Sequence, residues 1–232
     1  MNILKKYFSD FTELLYPLVC PVCNNKLSAN DISICLSCTG KLPETNFHND
    51  DDNETAKIFW GRIPVEFATS FLRFEKGGIA QQLMHKLKYK GHQQIGIDLG
   101  RIFASRIGNT KINECNIIIP VPLHKNKLRK RGYNQSTLIA EGMSSILNIP
   151  VSKEILTRKI KTQTQTYLKK YERWENVKDV FYCSDISGIK DKHVLIIDDV
   201  ITTGATIEAC ANVLLEAGAK KISIATLCYA SQ

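Results

Sequence analysis

The chain lacks any run of about 18 apolar residues, the length that a membrane-spanning helix needs. Its N-terminal stretch, Met1 to Tyr16, also lacks the apolar centre of a secretory signal, because Asp10 and Glu13 interrupt it. Apolar residues at helical spacing predict instead an amphipathic helix there, which packs on the body or lies on a membrane surface. No internal repeat is evident. We therefore expect a cytoplasmic protein with one domain of ordinary size and a small appendage.

Disulfides are not expected in a cytoplasmic chain, although eight cysteines are present. Four of them form two Cys-x2-Cys pairs, Cys20 with Cys23 and Cys35 with Cys38, separated by eleven residues. Two such pairs provide the thiolates of a closed tetrahedral metal site, for which zinc is favoured and iron is an alternative. A redox Cys-x2-Cys is disfavoured, because no thioredoxin-like βαβ pattern surrounds the pairs. We predict a structural zinc knuckle.

One segment combines a strand, two acids and a hydroxyl-rich turn. The apolar run Val194 to Ile197 is typical of a strand buried on both faces of a parallel sheet. Asp198 and Asp199 follow at its carboxyl end, where open α/β sheets bind ligands. The next residues offer hydroxyls and free N–H groups at a helix N-terminus, which suit a phosphate dianion: Thr202, Thr203, Gly204, Ala205 and Thr206. The pattern predicts a ligand with a sugar diol and a phosphate; a capped βα turn without a ligand is the alternative.

Positive charge is concentrated in residues 121–180, which contain thirteen Lys or Arg and five Asp or Glu, a net charge equal to the +8 of the whole chain. Five cations lie within residues 125–131, directly after a second predicted strand, Ile117 to Val121. A basic face attracts polyanions such as pyrophosphate or nucleic acid, although a solvated surface without a partner is the alternative. Of these cations, we expect Arg129 and Arg131 to face the ligand or polymer.

The segment around Asp198 resembles the 5-phosphoribosyl-1-pyrophosphate (PRPP) binding motif of type I phosphoribosyltransferases. The resemblance implies that Asp198 and Asp199 hold the ribose hydroxyls, directly or through Mg²⁺, and that Thr202 to Thr206 wrap the 5′-phosphate, with Val200 also in the site. It implies a pyrophosphate loop after the preceding strand, formed here by Val121, Pro122, Leu123, His124 and Lys125. Relatives that act on 6-oxopurines carry an Asp where this chain has Thr202, which disfavours that substrate class.

Residues 158–181 are polar and basic and show little periodicity, which predicts a mobile loop. In phosphoribosyltransferases a flexible lid closes over the active site and excludes water. The resemblance therefore predicts a lid here that includes Arg173, although a surface loop without a catalytic role is the alternative.

Motifs along nearly the whole chain resemble the ComF family of competence-associated, phosphoribosyltransferase-like proteins. The resemblance implies a cytoplasmic role in natural transformation, in which the protein handles incoming single-stranded DNA beside a helicase-like partner. The motifs that carry it are the four-cysteine knuckle, Leu87 to Gly91, Pro120 to Pro122, Arg131 to Gln135, Gln165 with Arg173 and Asn176, and the Asp198-Asp199 segment.

Strands that alternate with helices predict an α/β fold with a doubly wound, mostly parallel sheet, beside the N-terminal helix and the four-cysteine zinc knuckle. The resemblance implies that this sheet is of the type I phosphoribosyltransferase kind. We expect a helix and knuckle in residues 1–42, an acidic linker in residues 48–55 and the phosphoribosyltransferase-like domain in residues 60–232. The function stays open between a DNA-uptake protein that binds PRPP with little or no turnover and a transferase that passes ribose 5-phosphate to an unknown base or amine. A zinc-ribbon binder with the sheet as scaffold is a third hypothesis.

Overall fold

The structure is a computed structural model that describes residues 18–28, 31–89, 91–158 and 180–231. Its central sheet has four parallel strands, β1 (Phe67–Arg73), β2 (Ile117–Pro120), β5 (His193–Ile201) and β6 (Lys221–Tyr229), in the order β1-β6-β5-β2. Two short strands, β3 (Leu156–Arg158) and β4 (Phe181–Cys183), pair with each other in an antiparallel ribbon. The strands predicted at Ile117 to Val121 and at Val194 to Ile197 correspond to β2 and β5.

Helices alternate with these strands along the described residues. None of the described helices is long and apolar enough to cross a bilayer. The α-helices are α1 (Leu36–Thr39), α2 (Glu54–Lys57), α3 (Ile79–Tyr89), α4 (Gln93–Ile107), α5 (Lys125–Arg131), α6 (Gln135–Leu147) and α7 (Ala205–Glu216), and single 3-10 turns occur at Phe47–Asn49 and Lys111–Glu114.

Helices cover both faces of the sheet, because successive strand residues point in opposite directions. In β5, Leu195 and Ile197 pack with α3, α4 and α6, whereas Val194 and Ile196 pack with α7. All four side chains are fully buried. The apolar run therefore forms a strand buried on both faces, and the prediction of a doubly wound parallel sheet is confirmed.

Helices α4 and α6 cross at a pair of glycines. A Cβ atom on Gly100 would collide with the Ile139 carbonyl oxygen, and one on Gly142 would collide with the Ile97 carbonyl oxygen. The two backbones can approach this closely only because neither residue has a side chain. This contact fixes α6 against the sheet and so positions its first turn, which carries Ser136.

Residues 48–55 do not form the expected linker, because this segment packs on β1. Asn53 is only 3% exposed. Its amide nitrogen donates to the Ala68 carbonyl oxygen (2.7 Å), and its side-chain oxygen accepts from the Thr55 and Ala56 N–H groups and caps α2. The acidic composition suggested a solvated linker, but one buried amide ties the segment to the edge strand.

The cysteine-rich segment shares the core of the sheet domain. Cys20, Ile34 and Cys38 are buried in the same apolar cluster as residues of α3 and α4. The backbone N–H of Ser33 donates to a carboxylate oxygen of Asp98 (2.9 Å), which α4 holds at 2% exposure. The knuckle therefore packs against helices of the sheet domain.

Candidate functional site

The two predicted acids lie where β5 extends past its neighbour β2. The last residue pair between these strands is Pro120 with Ile197, and the Val121 N–H donates to the Ile197 carbonyl oxygen (2.9 Å). The sequence predicted a strand that ends at Asp199, but β5 continues to Ile201 through its pairing with β6. Asp198 and Asp199 thus lie within the strand, on a stretch that pairs with no described strand on the β2 side.

The protonation of Asp198 is set by burial and by its neighbours. Burial raises the pKa of Asp198 to about 7, and the adjacent charge of Asp199 adds to this rise. Hydrogen bonds from the Asp199 N–H (2.8 Å) and the Ser136 hydroxyl (2.9 Å) oppose it in part. The Lys88 ammonium lies 2.8 Å from an Asp199 carboxylate oxygen. The pair can therefore accept hydrogen bonds from ligand hydroxyls or coordinate a cation.

The segment Thr202 to Thr206 forms a turn at the N-terminus of α7, next to Asp198. Gly204 precedes the helix with a φ of 74°, which favours glycine. A Cβ on Gly204 would also lie 2.6 Å from Ile58 Cγ2 and 3.0 Å from Phe59 Cε1. The turn borders an open cavity of about 50 Å³ that Asp198 and Val200 also line. Free N–H groups and the positive end of the α7 dipole suit an anion there.

Arg62 braces this turn from the side of α2. Its guanidinium donates to the carbonyl oxygens of Thr203 (2.7 Å) and Ile58 (2.9 Å), and it pairs with Glu208 of α7. These bonds join the turn, the helix and the segment after α2. Nothing in the sequence pattern marked Arg62, because its partners are distant in the chain.

The predicted pyrophosphate loop leaves β2 at the same edge of the sheet. Val121 is buried and Pro122, Leu123 and His124 are half-buried, whereas Lys125 is the first residue of α5. His124 caps that helix by accepting from the Asn126 N–H through Nδ1 (3.2 Å). The basic segment is thus a short helix without a buried residue.

The two arginines singled out in this region have different surroundings. Arg129 is exposed. Arg131 instead donates to the Gln135 side-chain oxygen (2.7 Å), and its guanidinium carbon lies 5.3 Å from the centroid of the Tyr89 ring. Arg129 is therefore accessible to solvent, whereas Arg131 links Gln135 with Tyr89.

Residues Arg131 to Ser136 connect the parts of the site. The Asn134 amide nitrogen donates to the Val121 carbonyl oxygen (2.9 Å), and the Tyr133 hydroxyl donates to the Leu87 carbonyl oxygen (2.5 Å). Ser136 then reaches Asp198. The sequence analysis assigned no role to Ser136 or Lys88, although both lie in or next to motifs that it quoted.

The four predicted metal-binding cysteines come together at the knuckle. The sulfur atoms of Cys20, Cys23, Cys35 and Cys38 all lie within 4.8 Å of one another, and those of Cys23 and Cys35 are 3.7 Å apart. A tetrahedral site with metal–sulfur bonds of about 2.3 Å has sulfur–sulfur edges of about 3.8 Å. The cluster therefore fits a metal ion such as zinc.

The pKa values of these thiols are driven apart. Burial raises the pKa of Cys20, but hydrogen bonds from the backbone N–H groups of Cys23, Cys35 and Val22 outweigh it and lower the pKa to about 6. Burial and the neighbouring thiols raise the pKa of Cys38 to about 12. The Cys20 thiolate therefore forms readily, whereas a cation among the sulfurs would favour ionisation of Cys38.

Several predicted features lie outside the described residues. These are the N-terminal helix of residues 1–16 and the lid residues Gln165, Arg173 and Asn176. The ends of the predicted lid are described, however, and they are paired in the ribbon of β3 and β4. Arg158 is the register partner of Phe181, and its guanidinium carbon lies 5.3 Å from the centroid of that ring.

Comparison with known proteins identifies the family. The phosphoribosyl transferase domain model matches residues 133–232. "DNA utilization protein YhgH" of Escherichia coli K12 is 28% identical over 217 residues, which cover 90% of this chain and 89% of that protein. "Competence protein ComFC" of Bacillus subtilis is 22% identical over 240 residues, which cover 92% of this chain and 95% of that protein. By its similarity to these proteins over nearly its whole length, the chain is assigned to the ComF family. It therefore contains a type I phosphoribosyltransferase fold beside a cysteine cluster.

Two further matches cover shorter stretches of the chain. "Competence protein F" of Haemophilus influenzae is 32% identical over 149 residues, which cover 61% of this chain and 64% of that protein. A solved glutamine PRPP amidotransferase from B. subtilis is 18% identical with a TM-score of 0.44, and covers 61% of this chain and 30% of its own. The fold of this ComF chain is assigned from its sheet order and the matched domain, and not from that structure.

Proposed function

We propose that this protein binds PRPP together with Mg²⁺ at the carboxyl edge of its sheet and acts in the cytoplasm in DNA uptake, where it handles single-stranded DNA. The observation that carries the proposal is the position of Asp198 and Asp199 beside the Gly204 turn. Carboxylates suit a ribose diol, and free N–H groups at a helix N-terminus suit a 5′-phosphate. The names "DNA utilization protein" and "competence protein" of the relatives support the cellular role.

The carboxylates also fit the proposed Mg²⁺. Asp198 and Asp199 offer the oxygen ligands that this ion prefers, on a strand end that extends past the last residue pair with β2 in the described part of the chain. Two acids repel a ligand with three phosphate groups unless a cation screens them. Bound Mg²⁺ supplies that screening charge. The residues of the chain contribute the oxygen ligands, the phosphate turn and its brace by Arg62.

At the knuckle we propose Zn²⁺ in a structural role, because four thiolates leave no open coordination position for chemistry. Iron is the alternative for such a set of ligands. Metal analysis of the purified protein distinguishes the two ions, and a purified, folded protein without either one contradicts the assignment.

Calorimetric titration tests the ligand. We expect PRPP to bind with Mg²⁺ present and to bind at least about tenfold more weakly without it, because the repulsion is then unscreened. Ribose 5-phosphate with Mg²⁺ is the comparison ligand, since it keeps the diol and the 5′-phosphate. A folded protein that binds neither ligand contradicts the proposal.

The second candidate function is a working transferase. Asp198 favours it, because a carboxyl with a pKa of about 7 can take up or give a proton near neutral pH. A screen for pyrophosphate release against bases and amines decides between the two. Release with one acceptor supports the transferase, whereas PRPP binding without release across the panel supports a binding protein.

The contact with DNA is proposed for the exposed helix α5, which carries Lys125, Lys127, Arg129, Lys130 and Arg131. We expect Lys127→Glu with Arg129→Glu to weaken single-stranded DNA binding and to reduce its salt dependence, since each lost phosphate contact lowers the slope by about 0.7. Lys190→Glu, a reversal at the opposite edge of the sheet, is the control. Fluorescence anisotropy over a salt series measures both, and equal binding by parent and double variant contradicts this surface. The helicase-like partner is part of the same proposal.

A further inference from the structure

Lys88 lies inside the proposed ligand site, although it belongs to the Leu87 to Gly91 motif and to none of the predicted binding segments. Its ammonium nitrogen is 2.8 Å from a carboxylate oxygen of Asp199. Both side chains are mostly covered, at 23% and 18% exposure. Lys88 therefore places a positive charge next to the acid pair.

The backbone around Lys88 is held on both sides. Leu87 is fully buried, and its carbonyl oxygen accepts the Tyr133 hydroxyl at 2.5 Å. The ring of Tyr89 lies against the Arg131 guanidinium. The last turn of α3 is therefore attached to the segment Arg131 to Ser136. The four-carbon stem of Lys88 can pivot from this attachment, because only its end is engaged in the ion pair.

The same segment defines which end of the ligand Lys88 would meet. Asn134 attaches it to Val121 at the start of the predicted pyrophosphate loop, and Ser136 attaches it to Asp198. The phosphate turn, Thr202 to Thr206, instead contacts Ile58 and Phe59 through Gly204, and Arg62 donates to its Thr203 carbonyl oxygen. Lys88 thus belongs to the side of the site where the pyrophosphate loop lies, with the acid pair between it and the 5′-phosphate turn.

We propose that Lys88 is a specificity residue for the diphosphate of PRPP: its ammonium shares Asp199 with the ribose hydroxyls and pairs with a diphosphate oxygen. This inference rests on the proposed function. It goes beyond it, because it names the group by which the site distinguishes PRPP from a sugar phosphate that lacks a charge at the anomeric carbon. An ammonium is a compact charge with three donors, which can serve a carboxylate and a phosphate oxygen at once.

Calorimetry with Mg²⁺ present tests it on four proteins and two ligands. The proteins are the parent, Lys88→Met, which keeps the length of the side chain without its charge, Lys88→Arg, which keeps a charge, and the control Lys86→Met on the same helix. The ligands are PRPP and ribose 5-phosphate. Circular dichroism verifies folding, and Lys88→Gln replaces Lys88→Met if the latter does not fold.

We expect Lys88→Met to weaken PRPP binding by at least about tenfold and ribose 5-phosphate binding by less than about threefold. Lys88→Arg and Lys86→Met should stay within about threefold of the parent for both ligands. Unchanged PRPP binding by Lys88→Met overturns the role of Lys88 while the proposed function stands. Equal weakening of both ligands also overturns it, because Lys88 then only organises Asp199. A parent that binds neither ligand overturns both proposals.

Discussion

The cysteine cluster and the Asp198-Asp199 pair both place ionisable groups close together, but the groups that surround them differ. The four thiol sulfurs lie within 4.8 Å of one another, and the pKa is lowered to about 6 at Cys20 and raised to about 12 at Cys38. The carboxylates have Lys88 at Asp199 and the Ser136 hydroxyl at Asp198. Under the proposed function, the first set depends on a metal ion, whereas the second is held by residues of the chain.

The largest expected effect concerns the cysteine cluster. Cys20→Ser should release about one metal ion per chain and expose residues 18–42, because the metal contributes up to about 10–16 kcal/mol of apparent binding free energy. The sheet should remain folded, since β5 is buried by helices on both faces. Metal analysis with hydrogen exchange measures the two outcomes. Cys183→Ser, outside the cluster, is the control; retention of metal and of amide protection in Cys20→Ser contradicts the prediction.

The second prediction concerns the Asp198-Asp199 pair. Asp198→Asn with Asp199→Asn should weaken PRPP binding in Mg²⁺ by at least about tenfold, or about 1.4 kcal/mol, because the variant can neither hold the cation nor accept strongly from the diol. The fold should stay intact, since the surrounding β5 residues remain buried. Asp191→Asn is a matched control at an exposed left-handed position that Asn tolerates. Calorimetry that finds equal affinity in the double variant and the parent would show that the site is elsewhere.

A smaller effect is expected for Arg62, which supports the phosphate turn through its bond to Thr203. Arg62→Met should weaken PRPP binding by about three- to tenfold, because the Thr203 carbonyl loses its brace while every direct ligand group is kept. Thermal stability should change little, since Arg62 is exposed. Arg106→Met, which removes an exposed ion pair to Glu44, is the control. A loss of affinity equal to that of the control rules out the brace.

A separate prediction, on stability instead of affinity, concerns the pH dependence of unfolding without ligand. The pKa of Asp198 is raised from 3.8 to about 7 in the folded protein, so the folded state binds its proton more tightly than the unfolded state does. Its contribution to stability is full below about pH 4 and is lost as the pH rises through about 7. Asp198→Asn should therefore stabilise the ligand-free protein more at about pH 8 than at about pH 5. Denaturant unfolding at both pH values checks this, and a pH-independent difference contradicts it.

The sequence predicted the centre of the sheet well because two of its strands contain uninterrupted apolar runs, Ile117 to Ile119 and Val194 to Ile197. It missed what depends on a few polar contacts. Asn53 lies in an acidic stretch that suggests a linker, and only its bond to Ala68 in the folded chain shows otherwise. Helix α5 has no apolar face, so periodicity could not reveal it.

Within the site, the sequence predicted the acids and the phosphate turn because they are contiguous. It could not predict the pairing of Lys88 with Asp199 or of Arg62 with Thr203, because these partners are more than a hundred residues apart. Such pairs form only after the helices have packed. The ligand-facing groups were therefore predictable, and the groups that support them were not.

The ribbon of β3 and β4 has a consequence for how this protein can vary in length. Arg158 and Phe181 are register partners, so the chain that leaves at one returns at the other. Each doubling in the length of a loop adds only about 0.6 kcal/mol to the entropic cost of closing it. An insertion between these two residues should therefore cost little folding free energy as long as the pairing of Arg158 with Phe181 is kept.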